Sequence, residues 1–277
     1  MEITNYSSKL KINTGIYFSD NENIVSYPKS GNEKCFQIEE NSFWFNHRNN
    51  CIVEGVLKYS PTSVFFDIGG GNGFVAKSLE DIGVNTVLIE PGVQGCLNAQ
   101  KRGVENIICS TLENADFYEE SISSIGLFDV VEHIENDFEF LKKIYSLLTN
   151  DGYVYITVPS YNFLWSHEDI LAGHYRRYSR KEIEKVLRNV GFDIEYSTYI
   201  FSILTIPVFL FRVVPYRLFF KESPKNSDEN KKEHERKKGF ISNLLDRIWR
   251  FEIKMIKNSK KIITGGSCFI IAKKISK

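Results

Sequence analysis

Between residues 63 and 190 the chain repeats one pattern, a short run of β-branched and aromatic residues followed by a longer amphipathic stretch. The runs at 63–68, 86–89, 106–109, 125–131 and 153–158 predict strands, and the stretches 74–82, 93–101, 137–148 and 179–190 predict helices. Strands alternating with helices at this spacing imply βαβ units and a mainly parallel sheet. Residues 193–198, after the C-cap candidate Gly191, predict a sixth strand, and 268–272 a seventh. Upstream, residues 1–38 are polar and read as an irregular lead-in segment with a small hairpin. Over 40–57, Phe43, Trp44, His47, Cys51, Ile52 and Val56 fall roughly at helical intervals and predict a helix.

Before the last strand the character changes. Residues 200–220 are almost wholly apolar but carry Pro207, Arg212, Pro215 and Arg217, and a mixed-charge run, 221–238, follows as a solvated loop. Each arginine at bilayer depth costs about 2.5–3.5 kcal/mol, so an interfacial or substrate-covering helix fits better than a spanning one. A further amphipathic helix is expected over 241–256. The expected organisation is an N-terminal segment with a lid helix (1–58), a core (59–199 and 264–277) and an apolar helical insertion (200–263).

Composition narrows the function classes. The 277 residues balance 35 Lys+Arg against 35 Asp+Glu, which argues against non-specific nucleic-acid binding. Five scattered cysteines without a C-x-x-C pair favour a reducing compartment over a disulfide framework or structural zinc. Residues 1–11 lack an apolar signal core, so the expected location is cytoplasmic, with peripheral membrane contact through 200–220 as an option. No metal-ligand spacing stands out.

The most informative segment is Asp67-Ile68-Gly69-Gly70-Gly71-Asn72-Gly73-Phe74, where a buried strand ends at an acid and a glycine-rich turn opens onto a helix. Such a turn either lets a ligand approach backbone or merely links strand to helix tightly. A dinucleotide fingerprint from Gly69 needs a small residue at 74, where Phe74 stands; a register from Gly71 to Ala76 begins inside the turn. The Asp67 carboxylate would repel a pyrophosphate and attract a cation. G-K-[ST] is absent, excluding a Walker A loop. Glu90, about 20 positions on, is placed to accept from both hydroxyls of a ribose.

These residues resemble motif I (D-x-G-x-G-x-G) of the class I S-adenosylmethionine-dependent methyltransferases, and Glu90 matches the ribose-binding acid of that family. Phe128-Asp129-Val130-Val131-Glu132-His133-Ile134 resembles the motif after the fourth strand, and Leu147-Leu148-Thr149-Asn150-Asp151-Gly152-Tyr153 the turn before the fifth. The resemblance implies an α/β Rossmann-like fold with a seven-stranded, mainly parallel sheet in the order 3-2-1-4-5-7-6, the last strand antiparallel. It implies S-adenosylmethionine as cofactor, with Gly69, Gly71 and Gly73 shaping the loop around its methionine part and Asp67 attracting its ammonium. Glu90 and Pro91 would hold the ribose, Thr111 and Leu112 would flank the adenine, and Asp129 would face cofactor or acceptor. The Asp common beside the adenine is missing here.

The loop after the fifth strand concentrates Trp165, His167, Glu168, Asp169, His174, Tyr175, Arg176 and Arg177 at the sheet edge where α/β proteins bind ligands. It resembles a methyltransferase subgroup with W-S-x-x-D…G-H-Y-R-R-Y at this place. His174 is the first candidate general base, because imidazole titrates near neutral pH, with His167 and His133 as runners-up. His174 could equally hydrogen-bond backbone in a tight turn, and Arg176 and Arg177 could pair with neighbouring acids. Trp44 and His47 belong to an F-W-F-x-H-R-N stretch that the subgroup also carries, which suggests a lid, or a staple of helix to sheet. Trp44, His47, His133, Trp165, Tyr175 and Arg176 are the expected acceptor contacts. The leading expectation is methyl transfer to oxygen or nitrogen of a small-molecule, sugar or lipid-linked acceptor. A non-catalytic cofactor-binding scaffold with a membrane- or partner-binding helix, and a nicotinamide-dependent oxidoreductase, are the alternatives.

Overall fold

A computed structural model describes residues 2–20, 29–59, 64–219 and 240–275. Its core strands are β3 (Phe65–Ile68), β4 (Thr86–Ile89), β5 (Ile107–Cys109), β6 (Ile122–Phe128), β7 (Leu148–Pro159), β8 (Phe192–Ile200) and β9 (Ser267–Lys274). A hairpin of β1 (Leu10–Asn13) and β2 (Ile16–Ser19) precedes them. Among the described residues one sheet runs β1-β2-β5-β4-β3-β6-β7-β9-β8, so the core strands follow the expected 3-2-1-4-5-7-6. The sheet has nine strands rather than seven because β2 pairs in parallel with β5 and brings β1 with it. β9 is antiparallel to both neighbours.

β3, β4 and β5 are buried along their whole length, as continuous apolar runs in a sheet covered on both faces should be. Successive side chains point to opposite faces. Phe66 joins the cluster of Leu141, Ile144 and Leu187 from α6 (Asp137–Leu147) and α8 (Arg180–Val190), whereas Phe65 joins Cys51, Ile52 and Val56 of α2 (Phe43–Tyr59). Gly55 is where α2 meets the sheet: a Cβ there would lie 2.5 Å from the Phe269 ring.

Three differences from the sequence reading have physical causes. The strand expected at 125–131 stops at Phe128, because Asp129 takes a left-handed backbone (φ 57°) and the chain leaves the sheet into a 3-10 turn at Val131–His133. The polar lead-in contains a helix, α1 (Lys29–Ile38), besides the hairpin; its sequence carries few apolar positions to reveal it. The insertion is not one unit. α9 (Thr205–Val208), a π-turn (Phe209–Val213) and α10 (Val214–Phe219) run on continuously at the periphery. By contrast α11 (Phe240–Lys257) is part of the core, with Trp249, Glu252 and Ile256 buried and the Trp249 ring stacked on Phe43 at 5.3 Å. The charged run 221–238 lies outside the described residues. No helix of the described residues is long and apolar enough to cross a membrane.

Candidate active site

The loop between β3 and α3 (Phe74–Asp81) is shaped by glycines with different tasks. Gly69 and Gly73 have positive φ and no room: a Cβ on Gly69 would lie 2.8 Å from Val130, and one on Gly73 2.8 Å from Val104. Gly71 also has positive φ (55°), yet its nearest neighbour would be Asn32 at 3.9 Å, so its missing side chain leaves open space beside the backbone. Asp67 is fully buried without a side-chain partner; burial pushes it up to about 7 although Arg48 and the Ala76 amide pull the other way. Glu90, at the end of β4, accepts from the amides of Gly71 (3.0 Å) and Gly92 (2.8 Å), and burial raises it to about 7 as well. The Asn32 side chain also hydrogen-bonds Glu90, so of the roughly four lone-pair sites of a carboxylate one is left for a ribose hydroxyl while Asn32 holds its place. A buried acid without a side-chain partner, a glycine with open space beside it and a strand-end acid fit a cationic ligand bearing a ribose.

α1 covers this loop. Asn72 donates to the Asn32 carbonyl and to Glu39, Arg102 pairs with Glu39 at 2.8 Å, and the Arg102 guanidinium lies over the rings of Phe36 and Phe74. Phe74, which breaks the dinucleotide fingerprint, thus serves as a platform for the arginine that holds the cover. Thr111 caps α5 (Leu112–Ala115) by accepting from the Asn114 amide, and Leu112 is buried against the core beyond β5. Pro91 follows Glu90, its carbonyl facing Cys109.

A second group sits one turn away. Val130, against Gly69, follows Asp129, which accepts from Thr157 (3.0 Å) and pairs with Arg48 of α2. Arg48 lies 4.9 Å over the Trp44 ring, and Trp44 stacks on Phe201. Arg48 stands in the F-W-F-x-H-R-N stretch, where the sequence alone assigns it no partner. Beyond Asp129, Glu132 is wholly buried with neither oxygen hydrogen-bonded to another residue, and burial, then the Asp129 charge, drives its proton affinity well up. His133 and His174 meet edge to face at 4.7 Å, and burial, then His174, lowers His133 to about 4. His174 Nδ1 is 2.9 Å from Asp169. Burial alone would raise Asp169, but hydrogen bonds from His174 and Arg177 outweigh it and hold it at about 2.

The remaining expected contacts are dispersed. His47 is buried with Nε2 2.8 Å from Glu252, so it joins α2 to α11. His167 stacks on Tyr216 of α10 and stands apart from the pair of His133 and His174. Arg176 pairs with Asp137 (3.0 Å), and Arg177 with Asp169 (2.7 Å). Tyr175 is exposed, its amide donating to the Glu132 carbonyl. Trp165 is half-buried at the turn before α7 (His167–Ala172).

The sheet order, the glycine loop after the first core strand and the acid ending the second define a class I methyltransferase fold. Residues 47–197 match the methyltransferase domain family, and the chain belongs to it. No curated protein matches the chain in sequence. Among solved structures it is similar to a SAM-dependent methyltransferase from Thermotoga maritima (TM-score 0.55, 17% identity, 87% of this chain and 94% of that one). It is similar to phosphoethanolamine N-methyltransferase 2 of Haemonchus contortus in complex with S-adenosyl-L-methionine (TM-score 0.56, 17% identity, 94% and 62%). It is also similar to the plantazolicin methyltransferase in complex with a desmethyl analogue and SAH (TM-score 0.56, 16% identity, 91% and 92%). At these identities the likeness is one of fold. The protein is a SAM-dependent methyltransferase with S-adenosylmethionine as cofactor.

Proposed function

We propose that the protein methylates an oxygen or nitrogen of a small acceptor carrying an apolar or lipid-linked portion, and that the acceptor lies between His174 and the cofactor loop. The observation that carries this reading is the pair of His133 and His174, which reaches the loop through Glu132, Val130 and Gly69. In this reading Asp67, Gly71 and Glu90 hold the cofactor. The bound cofactor supplies an activated methyl on a sulfonium, so the chain has only to align the acceptor, exclude water and take up a proton. The Asp169 carboxylate accepts from His174 Nδ1, which leaves Nε2 to face the acceptor. Trp44, Phe45 and Arg48 close the site from the α2 side.

An apolar acceptor tail is suggested by the peripheral helix. Phe209 packs on Phe163 at 6.0 Å and Arg217 donates to the Phe163 carbonyl, so α9–α10 lies on the loop that carries the acceptor residues. Its outer side exposes Ile206, Leu210, Phe211 and Leu218, apolar area suited to a greasy chain or a membrane surface. The test is release of adenosylhomocysteine from hydroxyl and amine acceptors with and without an alkyl tail. His174→Ala should keep cofactor affinity and lower turnover about 10²–10⁴-fold. Turnover equal to the parent protein would overturn the placement of the acceptor.

A further inference from the structure

Glu132, His133 and His174 each turn one donor atom inward, and these atoms lie within 4.8 Å of one another. The sequence showed no metal-ligand spacing because the donors come from two loops, one after β6 and one after β7, which the parallel pairing of these strands brings to the same sheet edge.

We infer that Glu132, His133 and His174 form a binding site for a divalent transition-metal ion that presents a hydroxyl acceptor to the methyl donor. One carboxylate and two imidazoles make a donor set suited to zinc and its first-row neighbours, with positions left open for a substrate oxygen. Glu132 supplies the independent observation: it is 0% exposed and neither oxygen has a hydrogen-bond partner. A buried carboxylate left in that state is costly unless a cation or a proton completes it. Arg48 and Arg177 draw on its charge, but each hydrogen-bonds another acid, Asp129 and Asp169, so neither gives Glu132 a partner.

The surroundings of His174 follow the usual order of a metal-bound imidazole. Asp169 is fully buried on its side chain and accepts from Nδ1, fixing the tautomer that leaves the Nε2 lone pair available. Asp169 is itself held by Arg177 and by the Ser166 amide, so the ring is oriented by groups of its own loop. An ion at about 2.0–2.2 Å from each donor would draw them closer together. Because His174 lies on the segment that closes over Glu132, with the Tyr175 amide on the Glu132 carbonyl, such a contraction is a small movement of one loop.

The inference rests on the proposed function for the role of the ion, but not for its binding. With its Nε2 on the ion, His174 acts as a ligand and the ion takes over the task of the base: a hydroxyl bound there loses its proton to water more readily. Its oxygen then forms the bond to the methyl carbon as the carbon–sulfur bond breaks and its pair stays on sulfur.

The test uses the full chain treated with a chelator and titrated with Co²⁺, read by visible absorption and calorimetry. One equivalent should bind, Glu132→Gln and His174→Ala should each abolish it, and Asp169→Asn should weaken it about 10–100-fold. Cofactor affinity retained in the variants shows that they are folded. Turnover of a hydroxyl acceptor should fall on chelation and return with Zn²⁺ or Co²⁺. The inference is overturned if the parent protein takes up no Co²⁺, if both variants bind it as tightly as the parent, or if turnover ignores chelation. Failure of the methyltransferase reading would show separately, as absent binding of S-adenosylmethionine.

Discussion

The guanidinium of Arg48 is paired with the carboxylate of Asp129, which ties α2 to the residue that follows β6. Both side chains are largely buried, at 11% and 19% exposure, and Arg48 also pulls on the charges of Asp67 and Glu132. One cation therefore offsets a group of buried acids from a helix outside the sheet.

Removing that cation should be costly. Arg48→Met leaves Asp129 without its partner in a poorly solvated place, and breaking such a pair costs about 3–5 kcal/mol. Urea unfolding should show this loss, and Asp129→Asn added to Arg48→Met should restore part of it. A loss below about 1 kcal/mol would mean that water reaches the pair and screens it.

Cofactor affinity should depend on pH through Asp67. Its folded value of about 7 lies above the ordinary carboxylate value of 3.8, so the folded chain retains a proton that the unfolded chain has released. Stability contributed by this group falls as pH rises from about 4 to 7 and is level above that. A cofactor ammonium prefers the ionised acid, so the sign for binding is opposite. The affinity for S-adenosylmethionine should be about tenfold weaker at pH 6 than at pH 8. Asp67→Asn should bind weakly and reduce this dependence, the remainder coming from Glu90, which is also raised to about 7; a parent protein with equal calorimetric affinity at both values would refute it.

Gly71 and Glu90 separate access from recognition. Gly71→Val puts a branched side chain into space that is open beside the loop and at a positive φ, whereas Glu90→Ala removes the strand-end acid. Both should lower cofactor affinity, each by tenfold or more, while the far-UV spectrum stays that of the parent. Gly83→Ala, at a positive-φ turn with nothing within 4 Å, is a control for backbone strain alone. If Gly71→Val loses no more affinity than Gly83→Ala, the cofactor does not approach the loop there.

What the sequence disclosed followed from local chemistry. The strand runs, the glycine loop and Glu90 are contiguous patterns, and the core strand order came with the resemblance they carry. Helix α1 was not legible, because Lys29–Ile38 shows few apolar positions, and its contacts are polar ones to Asn72 and Arg102. Arg48 was hidden for the opposite reason: a charged residue on an amphipathic helix reads as solvated until the partner strand is in place. The meeting of Glu132 and His133 with His174 depends on how far each chain segment runs past β6 and β7, which neither segment encodes alone. The apolar insertion looked uniform, yet Glu252 binds His47 and the Phe201 and Ser202 amides, so its last helix belongs to the core.

That division makes the peripheral helix separable by point substitution rather than deletion. Leu210 and Phe211 are exposed, the latter at 78%, so replacing both by serine removes apolar surface without opening the core. The double variant should unfold within about 0.5 kcal/mol of the parent, as surface changes do. It should retain cofactor affinity, because the helix packs on the loop around Phe163 after β7. If the helix covers an apolar acceptor or docks on a membrane, the variant should lose turnover of alkyl-tailed acceptors, or flotation with anionic liposomes, by about tenfold or more, in line with some 0.8 kcal/mol per buried methylene. Loss of liposome flotation alone would identify a membrane dock, and loss of tailed-acceptor turnover in detergent-free solution would identify an intramolecular cover. Unchanged values in both assays would reject the apolar role and leave α9–α10 as a brace for the loop around Phe163.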